Sequence, residues 1–201
     1  MRWRHALSGG SAGWKMDAMV PSPAVRIAHT ADLTPAERAP IRDLLDAAFE
    51  GDFADEDWEH VLGGVHALIR DADGLLIAHG SVVQRQVRHA DRSYRAGYVE
   101  GVAVRADRRR EGLGHRVMAA LERVIDAAYD FGALSASDAG AALYAARGWR
   151  VWPGRLGALG PDGPVALPEE EGSTYVRPAA GHSLPDPAHP LSFDWRNGDL
   201  L

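Results

Sequence analysis

The stretch from Tyr98 to Gly114, Y-V-E-G-V-A-V-R-A-D-R-R-R-E-G-L-G, combines residue types that could bind an anion. An apolar, β-branched run typical of a strand is followed by four arginines, Arg105, Arg108, Arg109 and Arg110. Gly112 and Gly114 then open a segment of helical period. Unpaired N–H groups and the dipole at a helix start favour an anion, and glycine allows its oxygens to approach the backbone. The sequence therefore predicts a phosphate or pyrophosphate site at this turn.

Glu100 interrupts the apolar part of this stretch and is followed by Gly101. A glycine inside a strand permits a β-bulge, and bulges often redirect side chains beside active sites. One interpretation is a surface residue on an alternating strand, the usual place of a lone glutamate. The neighbouring Val99, Val102 and Val104 indicate instead a buried strand, in which a charged carboxylate is unusual unless it has a function. We therefore predict a chemical role for Glu100.

Composition indicates an ordinary soluble globular protein. At 201 residues the chain suits one domain, with 46% hydrophobic and 25% charged residues, and no apolar run approaches the roughly 20 residues that span a bilayer. The absence of cysteine excludes disulfides, thiol nucleophiles and cysteine-based metal sites, and it is compatible with the cytoplasm, where we expect the protein. A net charge of −6 argues against nucleic acid and suits a cationic ligand. The nine histidines are scattered, so we predict no metal site.

Periodicity and turn residues predict the elements around the central stretch. Those before it are a strand at Val25–Thr30, a helix from Pro35 that ends at Glu50–Gly51, a short acidic helix between Asp52 and Gly63, and strands at His66–Arg70, Leu75–His89 and Tyr94–Arg105. Met1 to Ala24 has Gly, Ser and Pro but no continuous apolar segment. We predict that residues 1–24 form a flexible extension and that residues 25–201 form one domain.

The elements after the stretch begin with a helix that follows Gly114, with Glu122 and Arg123 on its outer face and Phe131-Gly132 at its end. Next we predict a strand at Leu134–Ser137, a small helix that carries Tyr144, and a strand at Trp149–Trp152. The remainder, from Pro153 onward, is rich in Gly and Pro and shows one clear strand, Ser173–Arg177. The order of strands and helices predicts an α+β fold.

The segment Arg109-Arg110-Glu111-Gly112-Leu113-Gly114 lacks both the G-x-G-x-x-G pattern of dinucleotide folds and the G-x-x-x-x-G-K-S/T pattern of P-loops. It resembles the Q/R-x-x-G-x-G/A signature of GNAT acetyltransferases. Tyr144, in L-Y-A-A-R-G-W, resembles the tyrosine with which these enzymes protonate the coenzyme A thiolate. The element order is also the GNAT order, with a mixed, mostly antiparallel sheet and helices on both faces. The resemblance implies acetyl-CoA as cosubstrate.

A more specific resemblance covers the chain from about Val25 to its C-terminus. Five segments are similar to the aminoglycoside 2'-N-acetyltransferases: Gly51–Ile69, Gly97–Asp107, Gly132–Ser135, Leu143–Trp149 and Asp194–Asp199. The resemblance implies that Glu100 is the general base, acting through water, and that Tyr144 is the general acid. It implies a cationic aminoglycoside as acceptor and a homodimer as the assembly.

The binding residues are carried over from the same resemblance. It implies that acetyl-CoA is bound by Val102, Val104, Arg109, Arg110, Gly112 and Gly114. It implies that the aminoglycoside is bound by Asp52, Asp57, Gly101, Ser135, Glu170 and Asp199. An acidic rim of this kind suits a polycation, although each carboxylate taken alone is most simply a solvated charge.

Two departures from the family pattern lie on the acceptor side. Glu170 stands in E-E-E-G where the mycobacterial enzymes have D-D-D-G, and the chain ends G-D-L-L where they end G-D-V-W. These changes leave open a gentamicin or tobramycin type of acceptor or kasugamycin, which lacks the deoxystreptamine ring. Two further alternatives are an acetyltransferase of another amine, such as a polyamine or a protein N-terminus, and a non-catalytic domain that binds acyl-CoA or the antibiotic.

Overall fold

The computed structural model describes residues 23–201. The prediction of a flexible extension at residues 1–24 therefore lies outside the described residues, apart from the last two. Within the described part, no helix is long and apolar enough to cross a membrane.

The described chain contains four α-helices and ten β-strands. The helices are α1 (Pro35–Ala48), α2 (Asp55–Val61), α3 (Leu113–Ala128) and α4 (Asp138–Ala146). The strands are β1 (Val25–His29), β2 (Val65–Arg70), β3 (Leu76–His89), β4 (Arg92–Val104), β5 (Phe131–Ser135), β6 (Arg150–Val151), β7 (Leu156–Gly160), β8 (Gly163–Ala166), β9 (Thr174–Pro178) and β10 (Leu191–Asp194).

The strands form one mixed sheet in the order β6-β9-β5-β4-β3-β10-β7-β8, and β2 joins β1 to the other end of β3. The long hairpin of β3 and β4 is its centre. Two neighbouring pairs are parallel, β4 with β5 and β10 with β7, and the others are antiparallel. Helix α3 makes the crossover between parallel strands β4 and β5, as such a connection requires. The predicted α+β fold is confirmed.

Alternation along the strands places different helices on the two faces of the sheet. Ala67 and Ile69 of β2 pack in the cluster of α3, whereas Leu68 of the same strand packs in the cluster of α1 and α2. Thr34 caps α1 because its hydroxyl accepts from the Glu37 N–H while the Glu37 carboxylate accepts from the Thr34 N–H. The central strands are thus covered on both faces by helices.

Two predictions about α3 and the segment after it are wrong. Glu122 lies inside the protein, not on the outer face: it is 7% exposed, and its carboxylate accepts hydrogen bonds from Arg147 and the Trp149 indole. These partners follow 25 and 27 residues later, so helical periodicity could not reveal them. Phe131 does not close the helix but begins β5, which ends at Ser135.

The segment after Pro153 contains more regular structure than predicted. Besides β9 it forms the hairpin of β7 and β8 and the strand β10, which lies between β3 and β7. Short strands that contain Gly and Pro give a weak pattern of alternation, and pairing with distant strands stabilises them. This addition brings Asp194–Asp199 to the centre of the sheet.

Candidate functional site

The candidate site lies where strands β4 and β5 separate. Their parallel pairing begins at Ala96 and Phe131 and ends at Tyr98 and Ala133. Glu100 on β4 comes after this point, as does Ser135 at the end of β5. The divergence leaves a gap between neighbouring strands, and the predicted base and acid come from its two sides, Glu100 from β4 and Tyr144 from α4.

A β-bulge shapes the β4 side of the gap, as the sequence predicted. Between the pairs Ser81–Glu100 and His79–Ala103, β4 carries two residues, Gly101 and Val102, opposite one residue of β3. Gly101 has φ +54°, a left-handed conformation that glycine adopts most easily. A side chain at this position would also approach Val61 to 2.9 Å. The bulge therefore requires glycine for its backbone angle and for space.

Glu100 is largely enclosed and bound to a cation of the chain itself. Its carboxylate makes an ion pair with Arg196, and the two side chains are only 16% and 13% exposed. The Arg196 guanidinium also donates through Nε to the Asp199 carbonyl at 3.0 Å and lies 5.3 Å from the centroid of the Tyr98 ring. Glu100 is thus placed to bind a positive charge, which Arg196 supplies in this structure.

Tyr144, on α4, provides a proton donor near this carboxylate. Burial and the negative charge of Glu100 raise the pKa of the Tyr144 phenol to about 12. The ring is 8% exposed and packs against the rings of Trp149 and Tyr175, with centroids 6.5 and 6.2 Å away. A phenol with so high a pKa stays protonated at neutral pH, which is the state that a general acid needs.

The turn after β4 has the features of an anion site. Gly112, with φ +76°, precedes α3, so the first N–H groups of this helix point toward the turn. Arg105 and Arg108 are already paired with Asp107 and Glu111. Arg109 and Arg110 are exposed, and Arg109 donates a long hydrogen bond of 3.4 Å to the Val104 carbonyl. Arg109 and Arg110 therefore present exposed guanidinium groups at this turn.

The predicted acceptor residues fall into separate groups. The Ser135 hydroxyl donates to the Glu170 carboxylate at 3.1 Å, so these two side chains are together. Asp57 is engaged in capping α2, where its carboxylate accepts from the Ala54 N–H at 2.8 Å. Asp52 lies exposed in the turn before α2, and Asp199 is exposed five residues after the end of β10. The acidic groups thus come from three different parts of the chain.

Two residues of the site were not predicted from the sequence. Arg196, within the segment Asp194–Asp199, is the partner of Glu100, 96 residues away. His60 on α2 donates from Nε2 to the Asn197 carbonyl at 2.7 Å, which connects the acidic helix to the C-terminal segment. Burial and the charge of Arg196 lower the pKa of His60. No local pattern reports contacts over such separations, so the sequence carried no signal for either role.

Comparison with known proteins agrees with this geometry. Residues 29–152 match the family model described as acetyltransferase (GNAT) domain. The chain is 47% identical over 178 residues to the aminoglycoside 2'-N-acetyltransferase of Mycolicibacterium fortuitum, a match that covers 87% of this chain and 90% of that protein.

Solved structures support the fold. The GNAT family N-acetyltransferase YhbS from Escherichia coli, in complex with CoA, superposes with a TM-score of 0.60 at 17% identity, over 87% of this chain and 90% of that one. An acyl-CoA N-acyltransferase from Pseudomonas aeruginosa gives 0.54 at 18% identity, over 78% and 99%. The chain belongs to the GNAT family of acetyltransferases, together with the aminoglycoside 2'-N-acetyltransferase to which it is similar.

Proposed function

We propose that this enzyme transfers the acetyl group of acetyl-CoA to the 2'-amino group of an aminoglycoside and thereby confers resistance. The observation that carries the proposal is the presence of a carboxylate, Glu100, close enough to a buried phenol, Tyr144, for its charge to raise the phenol's pKa. The relative of 47% identity supports the choice of acceptor. We also infer a cytoplasmic enzyme, and a homodimer as the family resemblance implies.

The chemistry requires that the acceptor ammonium first lose a proton, because a primary alkylammonium titrates near ~10 in water. Glu100, acting through water, accepts that proton. The free amine attacks the thioester carbonyl, and the backbone N–H of Val102 stabilises the oxyanion that forms. When the C–S bond breaks, Tyr144 donates its proton to the departing thiolate, and the nitrogen releases its second proton to water, which leaves a neutral amide.

The Glu100–Arg196 pair bears on how the acceptor arrives. A substrate ammonium and the Arg196 guanidinium are both attracted to the same carboxylate. Arg196 lies two residues after the end of β10. Its side chain can therefore move without breaking the pairing of the sheet. We infer that acceptor binding moves Arg196 away from Glu100.

On the other side of the gap, acetyl-CoA would lie along β4. Its pantetheine arm would follow Val102 and Val104, and its diphosphate would bind at Gly112 and Gly114 of the turn. We infer that Arg109 and Arg110 supply the positive charge there. On the acceptor side, Gly101 would contribute backbone, and the carboxylates would pair with ammonium groups of the drug through Asp52, Asp57, Glu170 and Asp199.

The test of the proposed function is coenzyme A release from acetyl-CoA with a panel of acceptors. Gentamicin and tobramycin are expected to be turned over, and kanamycin A, which has a hydroxyl at the 2' position, is the negative control. Turnover with kasugamycin alone would assign the enzyme to that drug instead, in keeping with Glu170 and the G-D-L-L terminus. If spermidine were the best acceptor, the enzyme would be a polyamine acetyltransferase. If none of the amines caused release of coenzyme A, that result would contradict an enzymatic function.

The paired and exposed arginines of the turn give a test with an internal control. The double variant Arg109→Gln/Arg110→Gln is expected to raise the KM for acetyl-CoA about tenfold, since two charge-assisted contacts to phosphate are lost. The KM for the acceptor should stay unchanged. Arg105→Gln removes a guanidinium already paired with Asp107, so it is the matched control. Initial rates at varied acetyl-CoA concentration measure this KM in the double variant and in the control. An equal rise of KM in the two would contradict the assignment of Arg109 and Arg110 to the diphosphate.

Tyr144→Phe is expected to lower kcat about 10- to 100-fold, at the weak end of general-acid effects, because a thiolate leaves readily near neutral pH. With a phenol pKa of about 12, the wild type should lose no activity through Tyr144 ionisation below about pH 10. The pH dependence of kcat up to pH 10 checks this. A variant as active as the wild type would exclude Tyr144 as the acid.

A further inference from the structure

Two histidines are completely buried beneath α1 and α2 and have no part in the proposed chemistry. His66 on β2 and His79 on β3 are both 0% exposed. Buried polar side chains persist where hydrogen bonds satisfy them. The contacts of these two rings therefore show what they do.

The two rings form a hydrogen-bonded chain that ends at the bulge. Nδ1 of His79 lies 2.8 Å from the Gly101 carbonyl oxygen, and Nε2 of His79 lies 2.9 Å from Nδ1 of His66. At the far end, Nε2 of His66 lies 2.7 Å from the hydroxyl of Thr30. The Thr30 hydroxyl in turn accepts from the Gly63 N–H at 2.9 Å.

The carbonyl at one end determines the direction of every bond in the chain. An oxygen of this kind only accepts, so Nδ1 of His79 carries a proton, and Nε2 of the neutral ring accepts from His66. His66 must then carry its own proton on Nδ1 and accept from the Thr30 hydroxyl at Nε2, so the single hydroxyl proton points to His66 at 2.7 Å and not to the Gly64 carbonyl at 3.2 Å. Both rings are thus neutral Nδ1–H tautomers, and burial favours neutrality by lowering the pKa of each.

The Gly101 carbonyl is a special group because it belongs to the bulge. The peptide that joins Gly101 to Val102 lies where β4 has one residue more than β3, so the regular ladder does not fix its orientation. The carbonyl and N–H of a trans peptide point in opposite directions. A hydrogen bond from His79 to the Gly101 carbonyl therefore also sets the direction of the Val102 N–H, away from the imidazole.

We propose that His79, held by His66 and Thr30, is a positioning residue that orients the Gly101–Val102 peptide for acetyl transfer. The inference rests on the proposed function, in which the Val102 N–H stabilises the oxyanion and Glu100, next to Gly101, is the base. His79 acts only through the backbone. Oxyanion donors depend on orientation, so a small rotation of this peptide lowers the rate.

Two substitutions of His79 separate its hydrogen bond from its packing. His79→Asn keeps an N–H donor close to the position of Nδ1, whereas His79→Leu has similar bulk and no donor. The leucine variant is expected to lose about 10- to 100-fold in kcat, in the range of an impaired oxyanion donor, with both KM values within about twofold. The asparagine variant should recover most of that loss. His89→Leu, a buried histidine on the same strand that contacts the Pro190 carbonyl, is the matched control and should keep its kcat.

Wild-type kcat in His79→Leu, or equal losses in the leucine and asparagine variants, would overturn the proposal. Because the leucine variant could fail to fold, a second measurement uses the wild type alone. Long-range ¹H–¹⁵N spectra are expected to show His66 and His79 as Nδ1–H tautomers at pH 7, and an Nε2–H tautomer of His79 would exclude the hydrogen-bonded chain. These spectra do not depend on activity. If the wild type were inactive with every acceptor, the proposed function would be contradicted, and the spectra would still test the hydrogen-bonded chain of the two histidines.

Discussion

Glu100→Gln is expected to lower kcat/KM for the acceptor about 10²- to 10⁴-fold, the range in which a general base contributes. Glutamine keeps the size of the side chain and its hydrogen-bonding oxygen, but it cannot accept the proton of the substrate ammonium. The effect is large because an unassisted amine is almost fully protonated at neutral pH. Steady-state rates with acetyl-CoA and the best acceptor of the panel measure it.

The ion pair with Arg196 determines the controls for this variant. Loss of the carboxylate leaves a guanidinium that is 13% exposed without its partner, which can lower stability and so imitate a catalytic defect. The double variant Glu100→Gln/Arg196→Gln removes that unpaired charge, and it should unfold at higher temperature than the single variant while remaining inactive. Glu59→Gln, an exposed carboxylate on α2, should keep wild-type rates. Recovery of activity in the double variant would show that Glu100 is needed for the fold and not for proton transfer.

The free energy of unfolding is expected to fall as the pH drops below about 6.5, because His66 and His79 are buried as neutral rings. Burial lowers the pKa of His66 to about 4 and that of His79 to about 3, with smaller contributions from the charges of His29 and His66 respectively. In the unfolded chain both titrate near ~6.5, so the unfolded state binds more protons between that pH and the folded values. The stabilisation is complete above pH 6.5 and decreases toward pH 4.

Denaturant unfolding at pH 7.5 and pH 5 measures this effect, which should reach about 2 kcal/mol for each ring. Carboxylates whose pKa is lowered, such as Glu37 and Asp126, lose their contribution only at lower pH and so do not interfere. The variant His66→Gln/His79→Asn, which lacks both titrating rings, should show a much smaller difference between the two pH values. An equal fall in that variant would assign the acid sensitivity to other groups.

The sequence predicted strand β4 and its surroundings well because the relevant signals are local. The bulge at Gly101 follows from a glycine after a glutamate in an apolar strand, and the helix start at Gly112 follows from glycine spacing. Both needed only neighbours within a few residues. The family resemblance added Tyr144, whose lone occurrence on a helix would otherwise suggest a core side chain.

What the sequence did not predict depends on contacts between distant segments. Arg196 is typical of an exposed turn, and only the position of β10 beside β3 brings it to Glu100. The same holds for Glu122, whose helical position suggested solvent but whose partners are on the segment after α4. Periodicity reports which face of an element is apolar, but it does not report which polar side chain a later segment will satisfy.

The position of β10 also has a consequence for biosynthesis. Strand β10 pairs with β3 and β7, so β3 and β7 each keep an open edge until residues 191–194 are in place. Residues 191–196, which are synthesised after the other strands of the sheet, therefore both complete the sheet and bring Arg196 to Glu100. A nascent or truncated chain without residues 191–194 would expose these two strand edges, which promotes aggregation.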